Sequence, residues 1–285
     1  MNKLPLTKRA AILRCLTDGM GIRATARAME VSKGAIERLL LEAGEYAAHY
    51  SDFRVKGLRC PRIEFDEQHS YVLAKRGRSE NPAHGDAWTF VCLASESKLV
   101  VSWSVGARTP ETTYAICEDA AKRTSGIVDI STDGYGPYEE GIRRAFTWRR
   151  ANFARVIKQY EDVPLASGRR PAGQPKVKRV EKTRVIGSPN LDVASTSYIE
   201  NLNLTARQKC RRFARATQGH SKALEYHEAA VALHFWAHNF VRVHSTLTAE
   251  QGRKTTPAMM HGLADRPLSC EWLAEQCDPF AVTVK

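Results

Sequence analysis

The chain lacks the features that define several large protein classes. Its seven cysteines (Cys15, Cys60, Cys92, Cys117, Cys210, Cys270 and Cys277) are odd in number and scattered, with no Cys-x-x-Cys pair. That spacing supports neither a disulfide framework nor a zinc site built on paired cysteines. Cys270 and Cys277, seven apart with His261 nearby, read as reduced thiols rather than as a metal cluster. Long apolar runs are missing too. Phe90 to Leu93 and Leu99 to Val101 fall far short of a membrane span, and Met1 to Leu16 has no signal-peptide core. A cytoplasmic or nucleoid-associated protein without membrane contact is expected. There is no internal repeat, and acidic residues are scarce: 31 against 43 Lys and Arg, a net +12. A surplus of that sign points to nucleic acid or another anionic surface as the partner.

What is present is ordinary globular composition, 43% hydrophobic over 285 residues, enough for one sizeable domain and a small one. Residues 1–45 carry three helical patterns. Thr7 is expected to cap the first, Asp18-Gly19 to end it, Gly21 to open a second over Ile22 to Met29, and Ser32 to cap a third over Lys33 to Leu41. The run from Gly21 to Leu40 resembles a helix-turn-helix, which would turn Lys33, Gly34, Glu37 and Arg38 toward base edges in the major groove. A small helical cap on the main domain is the alternative. Residues 46–62, with Tyr46, Tyr50 and Phe53 and then a basic stretch, read as a linker lying on DNA or on the next domain.

From Ile63 the period becomes that of strands: Ile63 to Asp66, Ser70 to Leu73, Trp88 to Ala94 and Leu99 to Val105. Thr109-Pro110-Glu111 opens a helix, Ile127 to Thr132 is a further strand ending at Asp133, and Pro137 begins another helix. Meander, helix, strand, helix is a ribonuclease-H-like plan, giving an α/β (α+β) catalytic domain over residues 63–250. Residues 147–195 read as a basic insertion, with Phe153 to Tyr160 as a strand and Arg169 to Arg184 as a flexible, phosphate-contacting loop. The alternative there is a solvated linker. Residues 251–285 form a C-terminal helix and tail.

Ser197 to Phe213 reads as one helix with a chemical face, because Glu200, Asn203 and Arg207 fall at i, i+3 and i+7. Lys209, Arg211, Arg212 and Arg215 follow. Asp66, Asp133 and Glu200, each at the end of an element or on a helix, are expected to converge at one sheet edge. A second helix, Lys222 to Val241, follows, and His244 is read either as a phosphate contact or as a core residue.

These motifs together resemble the DDE transposases of bacterial insertion sequences, nearest to the insertion-sequence-1 family. Phe65-Asp66-Glu67-Gln68 with Tyr71-Val72 and Ala74-Lys75 is similar to the first family block, and Thr132-Asp133-Gly134 with Pro137-Tyr138-Glu139 to the second. Ile199-Glu200, Asn203-Leu204 and Arg207-Gln208, then Ser221-Lys222 and Glu225, are similar to the third. Arg242 to Leu247 and Thr256-Pro257 resemble a C-terminal block of single-frame members. The chain departs from the family in having no N-terminal zinc finger and in carrying Asn201 where a basic residue is frequent.

The resemblance implies Mg²⁺-dependent strand cleavage and 3′-hydroxyl strand transfer on double-stranded DNA, with Mn²⁺ as a substitute metal. Two ions about 4 Å apart suit that chemistry. Asp66 would bridge them, with Asp133 and Glu200 as flanking ligands, Arg207 beside the scissile phosphate and Asn203 orienting a ligand or strand. Glu64 and Glu67 are left out, Glu67 because alternation points it away from Asp66. Lys33, Gly34, Glu37 and Arg38 would contact the element ends, with Lys176, Lys178, Arg179, Arg211 and Arg212 on phosphates, in a homodimer or higher assembly. Rival readings are a helix-turn-helix regulator, an inactive domesticated copy, and a ribonuclease-H-like repair nuclease.

Overall fold

The computed structural model describes residues 3–74, 84–147, 150–161, 176–214 and 219–277. The expectations placed on Lys75, residues 169–175 and Arg215 lie outside the described residues.

The chain opens with α1 (Leu6–Thr17), α2 (Ile22–Ala28) and α3 (Lys33–Arg54). α1 ends at Asp18, and the next residue, Gly19, has φ of +91°, a backbone state that favours glycine. Ser32 caps α3, its hydroxyl accepting the Ala35 N–H at 3.2 Å. Thr7 does not cap α1. The helix already starts at Leu6, and Pro5, which has no N–H, holds the N-cap position.

A larger correction concerns the end of α3. It does not stop at Leu41 but continues through the expected linker to Arg54, because Ile36, Leu39, Leu40, Ala43, Gly44, Ala47 and Ser51 keep one buried stripe at helical spacing. Gly44 serves a contact, not a break: a Cβ there would lie 2.5 Å from Ala229. Tyr50 meets Phe240 and Trp272 edge-on, each at 5.1 Å, so it is a core aromatic.

Next come β1 (Leu58–Arg59), β2 (Arg62–Val72), β3 (Gly85–Ala94), β4 (Val100–Gly106), α4 (Pro110–Arg123), β5 (Thr124–Ser125), β6 (Val128–Thr132), α5 (Pro137–Ala145), β7 (Ala151–Tyr160) and β8 (Val177–Ile186). Thr109 caps α4 and Pro110 occupies its first turn, as the sequence predicts. β1 and β5 form a small parallel pair, and the main sheet has the order β4-β3-β2-β6-β7-β8. β2, β3 and β4 run antiparallel, β6 and β7 lie parallel to β2, and β8 returns antiparallel. This is the ribonuclease-H-like order expected from the element sequence, with β8 added at the edge. The stretch 177–184 is therefore strand, not flexible loop; its pairing with β7 satisfies the backbone while its charged side chains remain exposed.

The chain closes with α6 (Ser197–Lys209), a 3₁₀ turn at Arg211–Phe213, α7 (Leu224–Trp236), a π turn at Ala237–Val241, α8 (Ser245–Gln251), a 3₁₀ turn at Pro257–His261 and α9 (Cys270–Gln276). α6 is shorter than the sequence implied, since Cys210 leaves helical geometry. Helices cover both faces of the sheet. α4 and α5 bury Ile116, Tyr138 and Ile142 with Phe65 and Phe90; α6 and α7 bury Ile199, Leu202, Val231 and Phe235 with Val91, Leu93 and Val100. The far side of α7 carries Leu233 and Trp236 into a core shared with α1, α3 and α9, where Trp236 stacks on Trp272 at 6.1 Å. Truncating a buried aromatic of this kind costs about 3–5 kcal/mol. α7 thus ties the N-terminal helices to the sheet. Among the described residues no helix is long and apolar enough to cross a membrane.

Candidate active site

β2 pairs with β6 only as far as Phe65 and Thr132, whereas its pairing with β3 continues to Val72 and Gly85. Asp66 and Asp133 are the next residues on the two chains, so they leave the parallel pairing side by side, with strands about 4.8 Å apart. Asp66 does not end its strand, as the sequence implied. It is the first residue of β2 that β6 leaves open.

Alternation sends Glu64, Asp66 and Gln68 to the α6 face and Phe65 and Glu67 to the α5 face. Asn203 Nδ2 donates to Asp66 Oδ2 at 2.7 Å, and Gln68 Nε2 donates to the Asn203 carbonyl at 3.1 Å. The Glu67 N–H donates to Asp66 Oδ1 at 2.9 Å. Burial, followed by the Glu67 and Asp133 carboxylates, pushes Asp66 up to about 7.

Two excluded carboxylates belong to this architecture. The Thr196 side chain does not cap α6; instead Glu64 accepts the Ile199 N–H at 2.9 Å and the Ser95 hydroxyl at 3.0 Å. A sheet carboxylate thus caps the helix that carries Glu200, at its positive end. Burial pushes Glu64 up to about 7 against the pull of those donors. On the other face Glu67 accepts Arg108 Nη2 at 2.5 Å, Arg108 Nε at 2.8 Å and the Tyr138 hydroxyl at 3.1 Å. Burial raises it while Arg108 pulls it down, and the Asp133 charge adds to the rise. Arg108 also lies over the Tyr135 ring at 3.9 Å, and the Tyr135 N–H donates to Asp133 Oδ1 at 2.9 Å. Only the placement of Glu64 two residues before Asp66 on an alternating strand signalled any of this in the sequence.

Glu200 stands in the first turn of α6, with Asn203 buried and Arg207 half-buried further along the helix. Its carboxylate accepts Lys158 Nζ at 2.5 and 2.6 Å and the Thr196 hydroxyl at 2.7 Å. Lys158, on β7, had no sequence signal. Its partner is 42 positions away, and only the sheet order puts them together. Among the described residues no three His, Cys, Asp or Glu side chains are gathered tightly enough to hold a metal ion. Asp66 and Asp133 fit a hard divalent cation: both offer carboxylate oxygen, negative charge accumulates around Asp66, and Asn203 Oδ1 beside it is buried without a partner. Glu200 is within electrostatic reach of Asp66 while its carboxylate is ion-paired with Lys158.

The expected nucleic-acid residues fall into two groups. Lys178 and Arg179 lie exposed on β8, with Lys176 just before it. At the N-terminus of α3, Lys33 pairs with Glu37 at 2.8 Å, and together with Arg211 and Arg212 they line one cleft; Arg38 is exposed, its Nη1 3.8 Å from where a Cβ on Gly34 would lie. His244 stands beside Lys98 and Glu250, half-buried, with its Nδ1 unpartnered.

No protein-family model matches the chain, and no curated protein matches it in sequence. Among solved structures it is similar to the piggyBac transposase synaptic complex with hairpin DNA, at 9% identity, over 95% of this chain and 69% of that one, with a TM-score of 0.45. It is similar to the Mos1 transposase paired-end complex with left transposon end, at 11% identity, over 54% of this chain and 59% of that one, with a TM-score of 0.24. It is also similar to the Mos1 strand transfer complex, at 8% identity, over 84% of this chain and 77% of that one, with a TM-score of 0.28. Likeness at this level concerns the fold, not an activity.

Proposed function

We propose that the chain is a DDE-type DNA transposase, of the bacterial insertion-sequence kind that its motifs resemble, joining DNA ends to a target. The observation that carries this reading is the placement of Asp66 and Asp133 beside each other where β6 stops, with Glu200 on the helix that Glu64 fixes to the same sheet face. Asp66, Asp133 and Glu200 would hold two Mg²⁺, with Mn²⁺ as a substitute, whose chemistry there is activation of an oxygen nucleophile and stabilisation of a leaving oxygen.

The chain's own residues do the rest. Asn203 holds Asp66 in one orientation, and Arg207, two turns along α6 from Glu200, would lie toward a bound phosphodiester. Lys176, Lys178 and Arg179 would neutralise backbone phosphates on one side, Arg38, Arg211 and Arg212 on another. Joining two ends in one event calls for a homodimer or higher assembly on DNA.

The test is a strand-transfer assay with purified protein, DNA ends from the flanks of its own gene and a supercoiled target, in Mg²⁺ and in EDTA. Joined products that need Mg²⁺ and vanish in Asp66→Ala, Asp133→Asn and Glu200→Gln support the proposal. A second reading, a DNA-binding protein that does not cut, is favoured by the ion pair that engages the Glu200 carboxylate with Lys158. Retained end binding without products under any divalent metal would select it.

A further inference from the structure

At the far end of α6 from Glu200, a cleft of about 880 Å³ opens between the N-terminal helices, the Arg211–Phe213 turn and the start of α7. Seven Lys or Arg residues and one acid, Glu37, line it. Part of that charge is compensated, Lys33 by Glu37 and Lys209 by Asp18, whereas among the described residues the side chains of Arg23, Arg27 and Arg212 make no hydrogen bond or ion pair. Arg212 is half-buried, and burial depresses its guanidinium against the opposing pull of Cys210 and the Glu37 carboxylate, which the ion pair with Lys33 already engages.

The walls differ from the rim. Leu16 and Ile22 supply apolar surface over the buried Leu40 and Leu233, Tyr226 an aromatic ring, and buried His234 an Nε2 with no hydrogen-bond partner. A surface meant only for duplex phosphates needs positive charge and little else. A half-open cleft of small-molecule size, with apolar and aromatic walls, one orphaned polar atom and a cationic rim, fits a base inside and a phosphate at the mouth.

We propose that this cleft is a nucleotide site, taking one unpaired nucleotide with its base against Tyr226 and Ile22 and its phosphate on Arg212, Arg23 and Arg27. The nucleotide is either free in solution or an unpaired residue of a DNA strand. The site stands apart from the acidic sheet edge and needs no cleavage to be measured, so it can fail while the transposase reading stands, or the reverse.

The experiment titrates full-length Asp133→Asn protein in EDTA with dAMP, TMP and inorganic phosphate by calorimetry. In parallel, fluorescence anisotropy compares a paired duplex with the same duplex carrying one unpaired nucleotide. Binding of a mononucleotide about tenfold tighter than phosphate, lost in Arg212→Gln, establishes the site with a free ligand. A preference of about tenfold for the unpaired over the paired duplex, lost in the same variant, establishes it with a strand. Arg23→Gln, at an exposed position, should weaken whichever ligand binds and guards against misfolding of the Arg212 variant. Arg143→Gln, whose residue pairs with Glu139 on α5, should change neither. If mononucleotides bind no better than phosphate and the unpaired duplex no better than the paired one, the cleft is only a cationic surface and the proposal is overturned.

Discussion

Helix α6 begins among carboxylates and ends among guanidinium groups. Glu200 in its first turn stands near Asp66 and Asp133, and Lys209 in its last turn adjoins Arg211, Arg212 and the basic cleft, about 14 Å away at 1.5 Å per residue. The two ends solve opposite problems. At the acidic end burial, with the Glu67 and Asp133 carboxylates adding to it, holds Asp66 near 7, and the same negative charge repels phosphate. The basic end attracts phosphate and offers nothing to break its bonds. In the proposed function, binding and chemistry are therefore separable: one helix sets their distance, and only the acidic end would depend on a metal.

The largest effect that would break or sharpen this contrast is at the acidic end. Asp133→Asn keeps shape and removes charge, and should lower strand cleavage by about a thousandfold or more, equal to the several kcal/mol that metal-assisted stabilisation supplies. DNA affinity in EDTA should hold or rise. A parallel loss of binding would show that the two ends are not independent.

Gly19 joins the α1–α2 turn to the end of α6. A Cβ there would lie 2.5 Å from the Gln208 carbonyl, at a φ of +91°. Gly19→Ala should cost about 2–4 kcal/mol from strain and overpacking combined. Thermal unfolding measures the loss. Residual folded protein should bind DNA and nucleotide poorly, because the N-terminal wall of the cleft has moved, while Mn²⁺ binding at the acidic edge should be intact.

The double change Arg211→Gln with Arg212→Gln should reduce the slope of log affinity against log salt by about two if each guanidinium meets one phosphate. Asp133→Asn should leave that slope alone. Equal slopes in all three proteins would remove the cleft from DNA binding.

Much of this contrast could be read in the sequence, and the rest follows from what periodicity cannot carry. The strands around Asp66 and Asp133 are alternating or apolar runs, and the capped starts of α3 and α4 have the residues that caps require. The continuation of α3 was hidden because Gly44 looks like a stop; its real role, close approach to Ala229, depends on a helix nearly 200 positions later. β8 was hidden because its side chains are exposed on both faces, leaving no alternation to detect. Glu64 and Lys158 were missed for one reason: each acts on α6 from a strand far away in sequence, at Ile199 and Glu200. The cleft was likewise invisible, since α2, α3, the Arg211–Phe213 turn and α7 meet there only through tertiary packing.

A smaller effect is expected at the cap. Glu64→Gln keeps a hydrogen-bond acceptor for the Ile199 N–H but weakens the cap at the N-terminus of α6 by about 1 kcal/mol, while global stability holds or rises because burial disfavours the Glu64 charge and Gln carries none. Hydrogen exchange at the Tyr198 and Ile199 amides should quicken. Cleavage should fall more than DNA binding, because the loosened turn carries Glu200 and not the cleft. Equal protection in both proteins would show that the carboxylate charge adds nothing to the cap.

The smallest effect discriminates most finely. The Lys158–Glu200 pair is partly exposed, at 18% and 44% of the side chains, and contacts of that kind contribute about 0.2–1 kcal/mol. In the proposed function that energy opposes metal binding, because a cation must draw Glu200 from Lys158. Lys158→Met keeps the aliphatic stem and removes the competing charge. It should therefore tighten Mn²⁺ binding, followed by calorimetry without DNA, by a factor of about 1.5 to 5, the same energy expressed as affinity. In Glu200→Gln the Lys158 change should have no effect on Mn²⁺, since the competition runs through that carboxylate. If Lys158→Met weakens Mn²⁺ instead, Lys158 supports the site rather than occupying it, and Glu200 is no ligand held in reserve. If it tightens Mn²⁺ even with Gln at 200, the gain is long-range charge alone, and the acidic end is a two-carboxylate site.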